Sequence, residues 1–235
     1  MSQWALLSGI QGNLAAYEAV LSDIKGQLRP VEALFILGDL VGPTPECEAL
    51  VDRIRTPHPG EPEPQICLGW WEEQCFILHG LGHTGDPVEL REQAGAEGIA
   101  HLWRAVSRST VEWLRSLDFG FMELDCLLIH GSTLGVSDQL TPESPPLQLW
   151  DRVVRGEANR LFCGRSGLAF RCELSGSVQE QLHTLEGKQS SSPPSSLSRQ
   201  VIGVGNVGRV PGQATYTLYD PGTDQIQFKV IGRPA

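Results

Sequence analysis

Short unbroken apolar runs alternate along this chain with stretches in which apolar residues recur every three or four positions. Trp4-Ala5-Leu6-Leu7 is apolar throughout and stops at Ser8-Gly9, the pattern of a short buried strand. Leu14, Tyr17, Val20, Leu21 and Ile24 then fall on one helical face, which predicts a helix over 13–25. A second buried strand follows at 33–37, halted by Gly38-Asp39, and a second helix is predicted over 46–54. Strand, helix and strand in this order imply a right-handed crossover joining a parallel pair.

The remaining pattern is mixed. Residues 56–65 hold four prolines and read as a loop, before a third short strand at Ile66-Cys67-Leu68. A helix is predicted from Trp70, a glycine-rich turn over 80–87, and mostly helix over 89–117. Residues 121–124 and 126–129 read as a hairpin, 147–155 as a helix and 161–163 as another buried strand. The serine-rich stretch 187–200 has two prolines and almost no apolar residues, which predicts a mobile loop. Three antiparallel strands are expected after it, at 201–204, 214–219 and 225–231, with Asp220-Pro221-Gly222 as a turn. Because the early strands end in glycine plus a polar residue, a site is expected past their carboxyl ends.

Composition narrows the function. With 235 residues and 40% apolar content, the chain is expected to form one domain over 1–235. A net charge of −10 argues against broad nucleic-acid binding and against an anionic membrane surface. No apolar run reaches membrane-spanning length, and Met1-Ser2-Gln3-Trp4 has no basic leader, so no membrane insertion and no secretion are expected. The six cysteines form no CxxC pair and mostly sit in apolar runs, as expected of free buried thiols in a reducing cytoplasm.

Five strand ends carry more specific signals. They read Ser8-Gly9-Ile10-Gln11-Gly12-Asn13, Gly38-Asp39-Leu40-Val41-Gly42, Gly69-Trp70-Trp71-Glu72, His130-Gly131-Ser132 and Gly164-Arg165-Ser166-Gly167. In order and spacing these resemble the five motifs of the calcineurin-like metallophosphoesterases: S-D-I-H-G-N, G-D-x-V-G, G-N-H-D, H-G-S and G-H-T-H. Gly205-Asn206-Val207-Gly208 resembles the closing G-S-V-G. The resemblance implies an α/β fold, a four-layer α/β/β/α sandwich of two mixed β-sheets. It also implies a centre in which two metal ions generate a hydroxide and clamp a phosphoryl group.

Carried over residue by residue, the ligand set mostly fails. Gly9 stands where an aspartate ligand belongs, Gln11 where a histidine belongs, and Trp70 where an asparagine belongs. Trp71 replaces the histidine that assists the leaving group, and Arg165 and Gly167 replace the last two histidines. Asn13 and Glu72 complete the set of vestigial positions. Asp39 and His130 alone match as ligands, and would be the ones to hold a metal if one is bound. His79 and His83, four apart, read as loop histidines and only alternatively as further ligands. Gly203 to Gly208 fits GxGxxG, but no helix is predicted after it, so it reads as a loop.

These replacements imply a catalytically impaired homologue that binds a protein partner or a small anionic ligand, with no cofactor. The alternative is a divergent phosphoesterase holding one Mn, Fe or Zn ion at Asp39 and His130. Trp70 and Trp71 are expected to fill the emptied site, and Arg165 to stand in for the metal charge beside Asp39.

Overall fold

A computed structural model describes residues 3–82, 87–175, 180–184 and 198–232. In chain order the elements are β1 (Gln3–Leu7), α1 (Leu14–Lys25), β2 (Val31–Leu37), α2 (Cys47–Arg55), β3 (Pro64–Cys67), α3 (Trp70–Leu78), α4 (Val88–Ala105) and α5 (Arg108–Leu114). Then follow β4 (Gly120–Glu123), β5 (Cys126–Ile129), α6 (Pro146–Arg155), β6 (Arg160–Cys163), β7 (Ala169–Leu174), β8 (Glu180–Thr184), β9 (Arg199–Val204), β10 (Gln213–Asp220) and β11 (Gln225–Gly232).

The strands form two mixed sheets, ordered β11-β10-β1-β2-β3 and β4-β5-β6-β9-β7-β8. Strands β1, β2 and β3 are parallel, as are β5, β6 and β9, and antiparallel partners flank both sets. Alternate side chains explain the unbroken apolar runs, because both faces of the central strands are covered. Trp4, Leu6, Phe35 and Leu37 point inward and meet Leu128, Phe162, Ile202 and Tyr219 between the sheets. Trp4 packs edge-on to Phe35 and Tyr219, with ring centroids 5.4 and 5.6 Å away. The intervening residues, such as Ala5, Leu7, Leu34 and Ile36, face α1 to α5. On the far side Leu161, Cys163 and Phe170 pack against Leu149 and Val153 of α6. The result is the four-layer α/β/β/α sandwich expected from the motifs.

Several local readings change. The helical stretch 89–117 divides: Val106 is extended, and the Ser107 side chain caps α5 by accepting from Thr110 N. Strands β7 and β8 were not anticipated, although Phe170, Cys172 and Leu174 alternate with Arg171 and Glu173 in the period of two that marks a strand. Strand β9 does not join β10 and β11; it lies in the other sheet, between β6 and β7. The expected loop over 187–200 falls mainly outside the described residues, and Arg199 and Gln200 already belong to β9. All six cysteines are free and buried. Among the described residues no helix is long and apolar enough to cross a membrane.

Candidate functional site

Six strand ends converge at one edge of the sandwich. The segments after β1 and β2 are joined by Gly9 N to Gly38 O at 3.2 Å and Gln11 N to Asp39 O at 2.9 Å. The turn after β6 is held by Gly164 N and Arg165 N, which both donate to His130 O, at 2.8 and 2.7 Å. The connection from β9 to β10 lies along the first motif, with Val207 N on Ser8 O at 3.0 Å and Gly208 N on Gly9 O at 2.9 Å. Residue 208 must be glycine for this approach, since a Cβ there would meet Ile10 O at 1.9 Å.

Asp39 is the centre of the arrangement and is fully buried. Its backbone turns in the left-handed region, at φ 55°, directly after Gly38 at φ 66°. One carboxylate oxygen, Oδ1, accepts from Trp71 N at 3.0 Å, where α3 begins. The other, Oδ2, accepts from Nη2 of Arg209 at 2.8 Å. The Arg209 guanidinium also donates from Nη1 to Arg165 O at 3.0 Å. With its amide oriented by its partners, Gln11 Oε1 accepts from Arg209 Nε at 3.1 Å and from the Trp71 indole N–H at 3.0 Å.

Glu72 ties this edge together from below. Its buried carboxylate accepts from Asp39 N and Gly69 N, each at 2.8 Å, and from Val41 N at 3.1 Å. Burial and the Asp39 charge push its carboxyl up to about 7, against the backbone donors that favour the ionised form. His130 is likewise fully buried. Its Nδ1 lies 2.7 Å from Leu37 O, which only accepts, so Nδ1 carries the proton. Burial holds the imidazole below its ordinary pKa, although the Asp39 charge opposes this. The Nε2 lone pair then faces Asp39 Oδ1 at 3.3 Å without a hydrogen-bond partner.

The two indoles are placed differently. Trp70 is buried beneath the site, and its N–H donates to Glu89 of α4 at 2.9 Å. Trp71 is half-buried and crosses Trp70 edge-on at 4.8 Å between ring centroids. Arg165 departs from the expected position beside Asp39. Its guanidinium lies over the Trp70 ring at 4.6 Å and donates to Gln93 of α4 at 3.2 Å. Asp39 is paired with Arg209 instead, because the chain after Gly208 enters the site from the side left open by Gly9 and Gly167. A Cβ on Gly9 would lie 2.8 Å from Arg209 Nε, and one on Gly167 would lie 2.7 Å from Arg209 Nη1.

Other sequence-derived positions fall elsewhere. Asn13 caps α1, its side chain accepting from Ala16 N at 3.0 Å. His79 caps α3 and stacks on Trp103 at 4.4 Å, while His83 lies outside the described residues. The GxGxxG stretch spans the end of β9 and a loop leading to β10, not to a helix. Arg209 was absent from the sequence-derived candidates. The available signal was a lone arginine directly after the segment resembling G-S-V-G.

The fold is that of the calcineurin-like metallophosphoesterases. Three solved structures share it at low sequence identity. A metallophosphoesterase from Sphaerobacter thermophilus is 21% identical, with a TM-score of 0.69 over 99% of this chain and 89% of that one. A hypothetical protein from Pyrococcus horikoshii OT3 is 19% identical, with a TM-score of 0.67 over 99% and 88%. A protein serine/threonine phosphatase from Saccharomyces cerevisiae is 10% identical, with a TM-score of 0.51 over 100% and 81%. No protein-family description matches the sequence. No curated protein matches it either.

The donor set does not fit the two-metal centre that the resemblance implies. Asp39 and His130 supply one carboxylate and one imidazole nitrogen, and the neighbouring positions 9 and 167 have no side chain. Among the described residues no group of three or more His, Cys, Asp or Glu is arranged so that it could hold a metal ion. A permanently cationic guanidinium lies 2.8 Å from the shared carboxylate, where it would repel a divalent ion.

Proposed function

We propose that this chain is a phosphoesterase-fold protein that does not hydrolyse phosphate esters and acts by binding a small anionic ligand or a partner protein that presents one. The observation that carries this reading is the ion pair of Arg209 with Asp39 in the space between Gly9 and Gly167. A two-metal hydrolase needs a bridging carboxylate and several neutral or anionic donors to build its nucleophile. Here the carboxylate is committed to an arginine, and the leaving-group position carries an indole.

The same geometry supports an anion receptor. Guanidinium has five N–H donors. Arg209 spends three on Asp39, Arg165 O and Gln11, and its side chain is 20% exposed. Arg165 adds a second guanidinium, whose buried Nε has no partner. Two guanidinium groups at one site, the second stacked on Trp70, match a phosphate or carboxylate group.

The second reading is a divergent phosphoesterase with one Mn, Fe or Zn ion at Asp39 and His130. It is favoured by the unpartnered Nε2 of His130, which is buried and faces Asp39. It requires Arg209 to leave its pair.

The test uses full-length protein purified without chelator. Metal content and turnover of generic phosphate mono- and diesters are measured with and without added manganese, and binding of inorganic phosphate and pyrophosphate is followed by calorimetry. The proposal expects no bound metal, no turnover above background, and anion binding that weakens in Arg165→Ala. Turnover that disappears in Asp39→Ala establishes the second reading instead.

A further inference from the structure

We propose that Arg209 is the resident cation of this site, a tethered guanidinium that takes the place of a metal ion, and that removing it creates a receptor for a free guanidinium. The inference builds on the non-hydrolytic reading but rests on its own geometry. Asp39 is fully buried, and a buried carboxylate without a counter-charge is strongly disfavoured. The cation that meets it is held on three sides, by Asp39 Oδ2 at 2.8 Å, Arg165 O at 3.0 Å and Gln11 Oε1 at 3.1 Å. All three partners are acceptors, and they lie around one planar group in the fork pattern that guanidinium presents and an ammonium cannot.

The surroundings are shaped for that group. Glycine at 9 and at 167 leaves the volume that side chains there would fill, since a Cβ at either position comes within 2.8 or 2.7 Å of the guanidinium. The loop carrying Arg209 is anchored independently of the ion pair. Asn206 accepts from Arg209 N at 3.2 Å and donates to Gly167 O at 2.8 Å, while Val207 and Gly208 donate to Ser8 O and Gly9 O. Truncating the side chain therefore leaves the acceptors in place around a vacancy of guanidinium shape. Arg165 cannot fill it, because its guanidinium is stacked on Trp70 and bonded to Gln93.

The experiment is chemical rescue of full-length Arg209→Ala, with methylguanidinium at millimolar concentration as the probe. Thermal midpoint and calorimetric binding are measured for the wild type, Arg209→Ala, Arg209→Lys and the double variant Asp39→Asn with Arg209→Ala. The expected result is a lowered midpoint in Arg209→Ala that methylguanidinium raises saturably. The wild type and the double variant should show no saturable response, and Arg209→Lys should retain only part of the wild-type midpoint. If Arg209→Ala does not fold, the double variant is expected to fold, because the stranded charge is gone. Absence of saturable rescue in folded Arg209→Ala, an equal response in the double variant, or a double variant as unstable as the single one overturns the inference. None of these readouts depends on anion binding or turnover, so failure here is separable from failure of the proposed function.

Discussion

A Cβ built on Gly9 would lie 2.8 Å from Nε of Arg209, so the absent side chain of one residue is the space occupied by the other. This reciprocity predicts a measurable coupling. Gly9 also sits at φ 61°, so Gly9→Ala carries a backbone cost of about 1–2 kcal/mol before any clash. In the wild type the methyl group must also push aside the guanidinium that pairs with Asp39. In an Arg209→Ala background the backbone cost and a tight contact with Asn206 Cβ at 3.3 Å should remain. Chemical denaturation of the four proteins in this cycle should therefore show Gly9→Ala to be less costly when Arg209 is absent. Equal costs in both backgrounds would mean that the two residues do not share the space.

The two arginines should separate cleanly. Arg209→Ala leaves Asp39 buried and unpaired, a loss of about 3 kcal/mol for a mostly buried pair. The double variant with Asp39→Ala should recover much of it. Arg165→Ala loses the stack on Trp70 and the bond to Gln93, worth about 1–2 kcal/mol, and should couple to Asp39→Ala more weakly than Arg209→Ala does, since it feels the Asp39 charge without bonding to it. Strong coupling of Asp39 to Arg165 rather than to Arg209 would contradict the pairing described.

The fold was largely legible because its cause is periodic. Strands covered on both faces appear as unbroken apolar runs, and α1 appears as a 3.6-residue repeat. Strand β7 was missed where polar residues alternate with apolar ones, and β8, Glu180-Gln181-Leu182-His183-Thr184, because it holds a single apolar residue; no motif draws attention to either. At the site, motif order located Asp39, Glu72 and His130, which the fold does bring together. The choice between Arg165 and Arg209 was not legible. Both follow a glycine near a strand end, and which guanidinium reaches Asp39 depends on the path of the β9–β10 connection over Gly9. That path is fixed by hydrogen bonds between segments some 200 residues apart, such as Gly208 N to Gly9 O.

Glu72 and His130 impose opposing pH dependences. The carboxyl of Glu72 is raised from 4.5 to about 7, so the native state keeps a proton that the unfolded chain has lost. This contribution to stability is present at low pH and declines as pH rises between those values. His130 is held below its ordinary 6.5, so the unfolded chain gains a proton that the native state refuses, and stability falls on acidification below that value. The two slopes offset each other in the wild type. Glu72→Gln removes the first and leaves the second. Urea denaturation at about pH 5, 6 and 7 should show the variant losing more stability on acidification than the wild type, by on the order of 2 kcal/mol. Parallel curves would show that Glu72 does not titrate in this range.

The last prediction reverses the replacement of ligands. If the guanidinium of Arg209 and the absent side chains at 9 and 167 are what exclude a metal, then restoring donors and removing the guanidinium should admit one. The quadruple variant Gly9→Asp, Gln11→His, Gly167→His and Arg209→Ala would place three new donors around Asp39 and His130. Two of the substitutions are strained, since Gly9 and Gly167 have φ of 61° and 70°, at roughly 1–2 kcal/mol each. Without metal the variant also gathers carboxylates with no counter-charge, so it should be markedly less stable than the wild type. Manganese or zinc binding to the native state alone stabilises by RT ln(1 + [L]/Kd), about 2.7 kcal/mol at a hundredfold excess over Kd. The thermal midpoint of the variant should therefore rise with metal concentration and fall again on chelation, while that of the wild type stays constant. The same variant with Asp39→Ala in addition should lose most of the response, because the remaining donors lack the carboxylate that joins them. A wild-type midpoint that rises saturably with manganese would show that Arg209 yields to the ion.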